Sequence, residues 1–149
     1  MALPEPTPGL VIGFAYLWAS EARTGQDEGL KDRPCVIILS VEDRDGDRIV
    51  HVAPITHSPP RTDRVAVSLP PATRSRLGLD DQPSWIVTSE LNRFTWPGPD
   101  LRPISRNRPD TFAFGSIPLA LLKQVIDQIR ERRRVQSVSR DDHQGRSPS

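Results

Sequence analysis

The sequence lacks three features that define large classes of proteins. It has one cysteine among 149 residues, so it cannot form a disulfide framework, and this suits a reducing compartment. No apolar run approaches the roughly 20 residues needed to cross a bilayer. The first eight residues also lack the basic and apolar regions of a secretory signal. We therefore expect a cytoplasmic protein with no membrane partner.

An excess of one charge sign is also missing. The chain has 20 Lys and Arg residues against 19 Asp and Glu residues, which gives a formal net charge of +1. A strongly basic balance would indicate nucleic-acid binding over much of the surface. Any nucleic-acid site on this chain must therefore be local.

The length and the 36% hydrophobic content fit one domain with a modest core. Residues 1–8 are rich in proline, and residues 135–149 are polar, with no large apolar residue beyond Val138. Both segments are predicted to be disordered extensions. The predicted domain spans residues 9–134.

Short apolar runs separated by turn signals predict a mainly β domain. The predicted strands are residues 10–16, 35–39, 48–55, 64–69 and 84–89, and a short helix is predicted at residues 72–77. Between the second and third strands, Asp45-Gly46 marks a hairpin turn, so these two strands should pair antiparallel. Cys35 lies in an apolar strand, where it should pack as a small hydrophobic residue.

The second half of the chain ends in a predicted amphipathic helix. Prolines and a glycine in residues 94–103 predict a stiff surface loop without regular structure. From Pro118 onward, apolar residues recur at helical spacing, so a helix should cover the sheet. Strands followed by one helix indicate an α+β fold, either a small partly closed barrel or an open curled sheet.

Three segments, in this order, resemble the PemK/MazF toxins. They are GLKDRPCVIIL at residues 29–39, VAPITHS at residues 52–58 and SWIVTSELNR at residues 84–93. The first is similar to the family's Gly-x-Arg-Pro before a buried strand, although three residues here separate Gly29 from Arg33. The resemblance implies an SH3-like partly closed barrel, of the kind that CcdB also has, and a homodimer. It also implies a toxin that cleaves single-stranded RNA, inhibits growth, needs no cofactor and is bound by an antitoxin with which it binds DNA.

The resemblance places catalytic residues at the first two segments. Arg33 matches the family's catalytic arginine, and its planar guanidinium suits phosphate oxygens; the alternative is a solvated arginine beside Asp32. Thr56 matches the catalytic threonine, and the alternative is a strand-end cap. His57 adds a group suited to acid–base chemistry. It can share a site with Thr56 only if the strand has ended, because neighbouring strand residues point to opposite faces.

The third segment supplies candidates for RNA binding. Glu90 and Asn92 have groups that can hydrogen-bond base edges, and Arg93 can hold a phosphate or stack on a base. An ion pair between Arg93 and Glu90 is an equally good interpretation. Trp96 is a further candidate for base stacking, and packing is its alternative. Many relatives have an arginine where this chain has Thr88, which puts a second catalytic arginine in doubt.

Two other functions remain open from the sequence. The same fold hosts non-enzymatic toxins that bind DNA gyrase, and a degenerate regulatory relative would keep the groove without its chemistry. No metal site is predicted, because His51 and His57 lack companions at ligand spacing. His143 adjoins Asp141 and Asp142 only in the predicted tail.

Overall fold

Strands dominate the part of the chain that the structure describes. The computed structural model covers residues 3–25, 31–132 and 135–141. In chain order the elements are β1 (Leu10–Ala15), α1 (Ala19–Arg23), β2 (Asp32–Glu42), β3 (Arg48–Thr56), β4 (Ala66–Ser68), α2 (Pro71–Arg76), β5 (Trp85–Val87), β6 (Glu90–Thr95), β7 (Leu101–Arg102), β8 (Ala113–Ser116), α3 (Leu119–Glu131) and β9 (Gln136–Ser139). The prediction of a mainly β fold with a C-terminal helix is confirmed.

The strands form one sheet that is antiparallel except at one pair. Hydrogen-bonded neighbours follow the order β4-β5-β3-β2-β1-β7, while β6 pairs with β3 and β9, and β8 pairs with β1. The pairing of β6 with β9 is parallel. Among the described strands this order does not return on itself, so the sheet is open. The SH3-like barrel remains a prediction.

Both faces of the sheet carry an apolar core, because β1 is buried along its whole length and its alternate residues point to opposite faces. One cluster contains Val11 and packs against Leu122 and Val125 of α3. The other contains Phe14 and Cys35. Cys35 is fully buried, and burial raises the pKa of its thiol, in agreement with the predicted packing role.

The hairpin between β2 and β3 forms where the sequence predicts it. Two backbone amides, those of Asp45 and Asp47, donate to Asp43 Oδ1 at 2.9 Å each. Gly46 has a φ of 85°, a left-handed conformation that glycine adopts without steric cost. The predicted antiparallel pairing of β2 with β3 is confirmed. It brings the beginning of β2 beside the end of β3.

The predicted irregular loop at residues 94–103 is wrong in part. Strand β6 continues to Thr95, and β7 pairs with β1 inside the same segment. Within this segment, residues 96–100 and Pro103 lie outside the strands, and the first group includes the cis peptide bond Trp96-Pro97. The prolines stop the ladder locally, but the backbone on either side still meets a neighbouring strand.

The prediction of a disordered tail at residues 135–149 is wrong for its first part. Strand β9 lies along β6, and the next residue, Arg140, is 1% exposed and forms an ion pair with Asp100 at 2.9 Å. The polar composition hid this strand because its order comes from backbone hydrogen bonds to β6 and from a buried charge pair. Residues 142–149 lie outside the described residues.

The segments before and after β1 differ from the prediction in smaller ways. Residues 3–8 contain no helix or strand, yet Pro6 is buried against the domain, so this stretch does not stand apart from it. Residues 1–2 lie outside the described residues. After β1 comes the short helix α1, which is not among the predicted elements. Residues 26–30, with Gly29, fall outside the described part of the chain.

Candidate active site

The three predicted catalytic residues lie on one groove. Arg33 is near the start of β2, Thr56 is the last residue of β3, and His57 follows it. Antiparallel pairing of the two strands places these ends side by side. The groove has a volume of about 420 Å³. It is lined by Trp18, Lys31, Arg33, Thr56, His57, Ser58, Pro60, Val65, Ala66 and Val87.

Arg33 presents a partly buried guanidinium that no carboxylate neutralises within the described residues. Its Nε atom is buried and has no hydrogen-bond partner in the described part of the chain. The guanidinium lies over the Trp18 ring, 5.0 Å from the ring centroid, which is a cation–π arrangement. Asp32, its neighbour, faces Arg102 instead, with 3.5 Å between the carboxylate and Arg102 Nε. Arg33 therefore keeps its charge available to the groove.

Thr56 ends β3 with its hydroxyl on the groove. The Oγ1 atom accepts a hydrogen bond from the Ser58 amide at 3.1 Å, so it does cap the strand end. A hydroxyl has one donor and two acceptor positions, so this bond leaves its proton free to donate. The capping role and a role toward a ligand are therefore compatible.

His57 lies beyond the end of β3, which removes the rule that neighbouring strand residues point to opposite faces. It lines the same groove as Thr56, so the condition set by the sequence is met. Its Nε2 atom is 3.0 Å from Asp80 Oδ1. Both side chains are about half exposed, at 49% and 50%. The imidazole is thus accessible and held from one side.

A second cavity, which we call the side pocket, adjoins the groove. Its volume is about 320 Å³. Lys31, Arg33 and His57 line both cavities. The side pocket is further lined by Asp32, Pro34, Ile55, Gly78, Leu79, Asp80, Ser84 and Phe114. These three side chains therefore lie where the groove and the side pocket meet.

Two of the predicted RNA-binding residues instead hold the chain that follows β1. Asn92 is fully buried, and its amide accepts from the Leu17 amide at 2.9 Å and donates to the Leu17 carbonyl at 2.8 Å. Glu90 Oε1 accepts from the Ala19 amide at 2.9 Å and from the Tyr16 hydroxyl at 3.1 Å. We call Glu90 and Asn92 the β6 clamp. The clamp binds Leu17 and Ala19, the residues on either side of Trp18. The Trp18 ring in turn contacts the Arg33 guanidinium.

The electrostatics of the β6 clamp follow from its burial. Burial raises the pKa of Glu90 above its ordinary value of 4.5, and the hydrogen bonds from Ala19 and Tyr16 oppose that shift. Burial, with Glu90 close by, also raises the pKa of Tyr16. Glu90 is not paired with Arg93 within the described residues, so the ion-pair interpretation is not what this structure shows.

The remaining predicted residues lie away from the groove. Arg93 stands opposite His51 in the β3–β6 register, and the pKa of His51 is lowered by burial and by Arg93. Trp96 packs on Phe94, with 6.0 Å between ring centroids, as its alternative interpretation required. Thr88 is fully buried and its hydroxyl donates to Gln128.

Sequence reasoning missed three residues at the site. Trp18 and Lys31 lie between the first two predicted strands, where no helix or strand is predicted, and no local pattern assigns either side chain to the groove. Asp80 lies 23 residues from His57 in sequence, and only the fold brings them together. The only sequence feature that singles out Asp80 is that it is a charged residue two positions after Gly78, which follows the predicted helix.

Comparison of the chain with models of protein families, with curated proteins and with solved structures finds no match. None of the described helices is long and apolar enough to span a membrane. Residues 3–25, 31–132 and 135–141 contain no cluster of three or more His, Cys, Asp or Glu side chains arranged to hold a metal ion. His143 lies outside this range.

Proposed function

We propose that this protein is the toxin of a bacterial toxin–antitoxin pair and that it cleaves single-stranded RNA without a metal cofactor. The convergence of Arg33, Thr56 and His57 on one groove is the observation that carries the proposal. The resemblance to PemK/MazF toxins selects Arg33 and Thr56, and His57 adds an acid–base group beside them. Arg33 comes from a different segment than Thr56 and His57, and the antiparallel pairing of β2 with β3 brings the two segments together.

The chemistry needs few groups because RNA supplies its own nucleophile. The 2'-oxygen attacks the adjacent phosphorus, and the bond from phosphorus to the 5'-oxygen breaks. The products carry a 2',3'-cyclic phosphate and a 5'-hydroxyl. A proton acceptor near the 2'-hydroxyl and a cation near the phosphorane oxygens both lower the barrier. The groove contains a candidate for each role.

Arg33 is assigned to the phosphorane. Its guanidinium stays protonated, and its planar fork matches two phosphate oxygens. The Trp18 ring supports one face of the guanidinium, which limits its rotation. Partial burial strengthens its interaction with a bound phosphate relative to bulk water.

His57 and Thr56 are assigned to the 2'-hydroxyl. An imidazole can take its proton near neutral pH, whereas a threonine hydroxyl is far too weak a base. Thr56 can donate a hydrogen bond to the 2'-oxygen or to a phosphate oxygen, since the Ser58 amide uses only one of its acceptor positions. The two residues thus have complementary roles.

The family resemblance extends the proposal to partners. We propose a homodimer whose groove binds the RNA strand, and a small antitoxin that occupies this groove and joins the toxin in binding DNA. A chain with a net charge of only +1 has to concentrate its phosphate contacts locally. Lys31 and Arg33 on the groove satisfy this requirement.

The test is cleavage of a long single-stranded RNA in EDTA by the purified protein, with the new ends mapped. We expect 2',3'-cyclic phosphate and 5'-hydroxyl ends. Arg33→Ala should lower the cleavage rate by about 100-fold or more, as loss of an oxyanion-stabilising group typically does. Thr56→Ala and His57→Ala should also lower it. A single 2'-deoxy substitution at the mapped site should block cleavage there.

Arg44→Ala, at the exposed tip of the β2–β3 hairpin, is the matched control and should cleave as the wild type does. Intact RNA with a properly folded wild type would overturn the proposal. Growth arrest and binding to DNA gyrase under those conditions would favour the non-enzymatic toxin. Absence of both effects would favour the regulatory relative.

A further inference from the structure

We infer that Asp80 positions His57 and makes Nδ1 the nitrogen that takes the proton from the 2'-hydroxyl; this inference rests on the proposed function of the groove. Asp80 Oδ1 lies 3.0 Å from His57 Nε2. Asp80 does not line the groove itself but the side pocket behind it, so it acts through the imidazole rather than on the RNA.

The fold holds Asp80 in this place by local contacts. Helix α2 ends at Arg76, and Gly78, with a φ of 74°, reverses the chain toward the end of β3. The Gln82 amide then donates to Asp80 Oδ1 at 3.1 Å, which orients the carboxylate within its own turn. Asp80 therefore reaches His57 from a short, well-defined connection.

The carboxylate determines which imidazole nitrogen carries the proton. A neutral imidazole has one N–H donor and one acceptor nitrogen, and an ionised carboxylate can only accept. The contact with Asp80 therefore places the hydrogen on Nε2 and leaves the Nδ1 lone pair as the acceptor. Hydrogen bonding to a carboxylate is a common way to orient a reacting imidazole.

The other charged groups near His57 do not replace Asp80. The side pocket brings Lys31, Asp32, Arg33 and Asp80 around the imidazole. Asp32 faces Arg102, and the cations Lys31 and Arg33 have no acceptor for a hydrogen bond from the imidazole. Among the described residues, Asp80 is the carboxylate within hydrogen-bond distance of the imidazole. It therefore stabilises the imidazolium that forms during the reaction.

The proposed step is balanced in protons and electrons. The 2'-O–H bond breaks and its proton moves to Nδ1, while the 2'-oxygen forms a bond to phosphorus. The bond from phosphorus to the 5'-oxygen breaks, and that oxygen takes a proton from water. The proton on Nδ1 returns to solvent afterwards, so the enzyme regains its starting state.

Asp80→Asn is the first test, with Asp81→Asn, the neighbouring exposed carboxylate, as the matched control. We expect Asp80→Asn to lower kcat by about 10-fold, a common cost of losing a group that orients a reacting residue, with KM changed less than about twofold. Asp80→Glu should recover part of kcat, and the control should match the wild type.

A second readout does not depend on cleavage. The side-chain ¹⁵N chemical shifts of His57 in the RNA-free protein report which nitrogen carries the proton. We expect Nε2–H in the wild type and in Asp81→Asn, and a mixed population in Asp80→Asn.

The two readouts separate failure of the inference from failure of the function. If the wild type cleaves RNA, and Asp80→Asn matches it in kcat and in the protonated nitrogen of His57, Asp80 has no positioning role and the proposed function stands. A wild type with Nδ1–H would overturn the inference in the same way. An inactive wild type would overturn both, and the NMR data would then describe only a structural contact.

Discussion

The groove and the β6 clamp contain similar residue types at the ends of strands, yet the fold uses them in opposite ways. In the groove, Arg33 and His57 direct polar groups toward open space. In the clamp, the side-chain amide of Asn92 forms hydrogen bonds with the backbone N–H and C=O of Leu17. Burial and the presence of unpaired backbone groups decide between the two outcomes, because a buried backbone N–H or C=O must find a partner.

The two regions are linked through one aromatic residue. The clamp binds the residues on both sides of Trp18, and the Trp18 ring lies on Arg33. The clamp therefore acts on the groove indirectly, by holding the surface on which the guanidinium rests. We therefore expect substitutions in the clamp to lower mainly the stability of the protein, and substitutions in the groove to lower mainly the cleavage rate.

The largest effect on stability is expected at a buried charge of the scaffold. Arg140→Ala removes the cation 2.9 Å from the buried Asp100 carboxylate, and breaking such a pair typically costs about 3–5 kcal/mol of unfolding free energy. Urea denaturation measures this change. The exposed Arg106→Ala should stay within about 0.5 kcal/mol of the wild type. Equal unfolding curves for the two variants would show that β9 does not stabilise the domain.

The second prediction is that the clamp contributes to the stability of the fold. Asn92→Ala leaves the Leu17 amide and carbonyl buried without their partner, which should lower the unfolding free energy by about 2–4 kcal/mol. Asn107→Ala, on an exposed loop, is the control. A stable Asn92→Ala protein that cuts RNA at a different base would restore the original prediction of base recognition and remove the contrast with the groove.

The third prediction concerns the link between the regions. Trp18→Leu removes the aromatic face under Arg33, and a partly exposed cation–π contact is worth about 0.5–1 kcal/mol, or a few-fold in rate. Cleavage rates should fall in the order wild type, Trp18→Phe, Trp18→Leu, because the π face weakens in that order. The melting temperatures of the three proteins should differ little. An unchanged cleavage rate in Trp18→Leu would show that the clamp does not influence the groove through Trp18.

The smallest effect is a pH dependence at the clamp. The raised pKa of Glu90 means that the folded state binds its proton more tightly than the unfolded state, whose carboxyl titrates near the ordinary 4.5. This contribution to stability is present below that value and is lost as pH rises through the folded-state pKa.

Glu90→Gln remains neutral and can still accept from Tyr16 and Ala19. Its unfolding free energy relative to the wild type should therefore increase between about pH 4 and about pH 7. Denaturation series across this range measure the difference. A decrease instead would mean that the ionised carboxylate is the form that the clamp favours.

Local patterns predicted much of the fold. The β2–β3 hairpin follows from an Asp-Gly turn between two apolar runs, and α3 follows from apolar residues at helical spacing. Two residues of the candidate site, Arg33 and Thr56, follow from the family resemblance. They lie close together because antiparallel pairing places the beginning of β2 beside the end of β3. These are short-range consequences of residue type and chain direction.

Other features depend on partners far away in the sequence. Strand β9 has no apolar pattern and forms because β6 offers an edge, while Arg140 is buried because Asp100 is there to receive it. Asp80 meets His57 only after α2 and its glycine turn redirect the chain. Asn92 and His57 are both polar residues near a strand end, and only the packing around them leaves one enclosed and one open. A linear pattern records what each residue can do, whereas its use is decided by the groups that folding brings within hydrogen-bond distance.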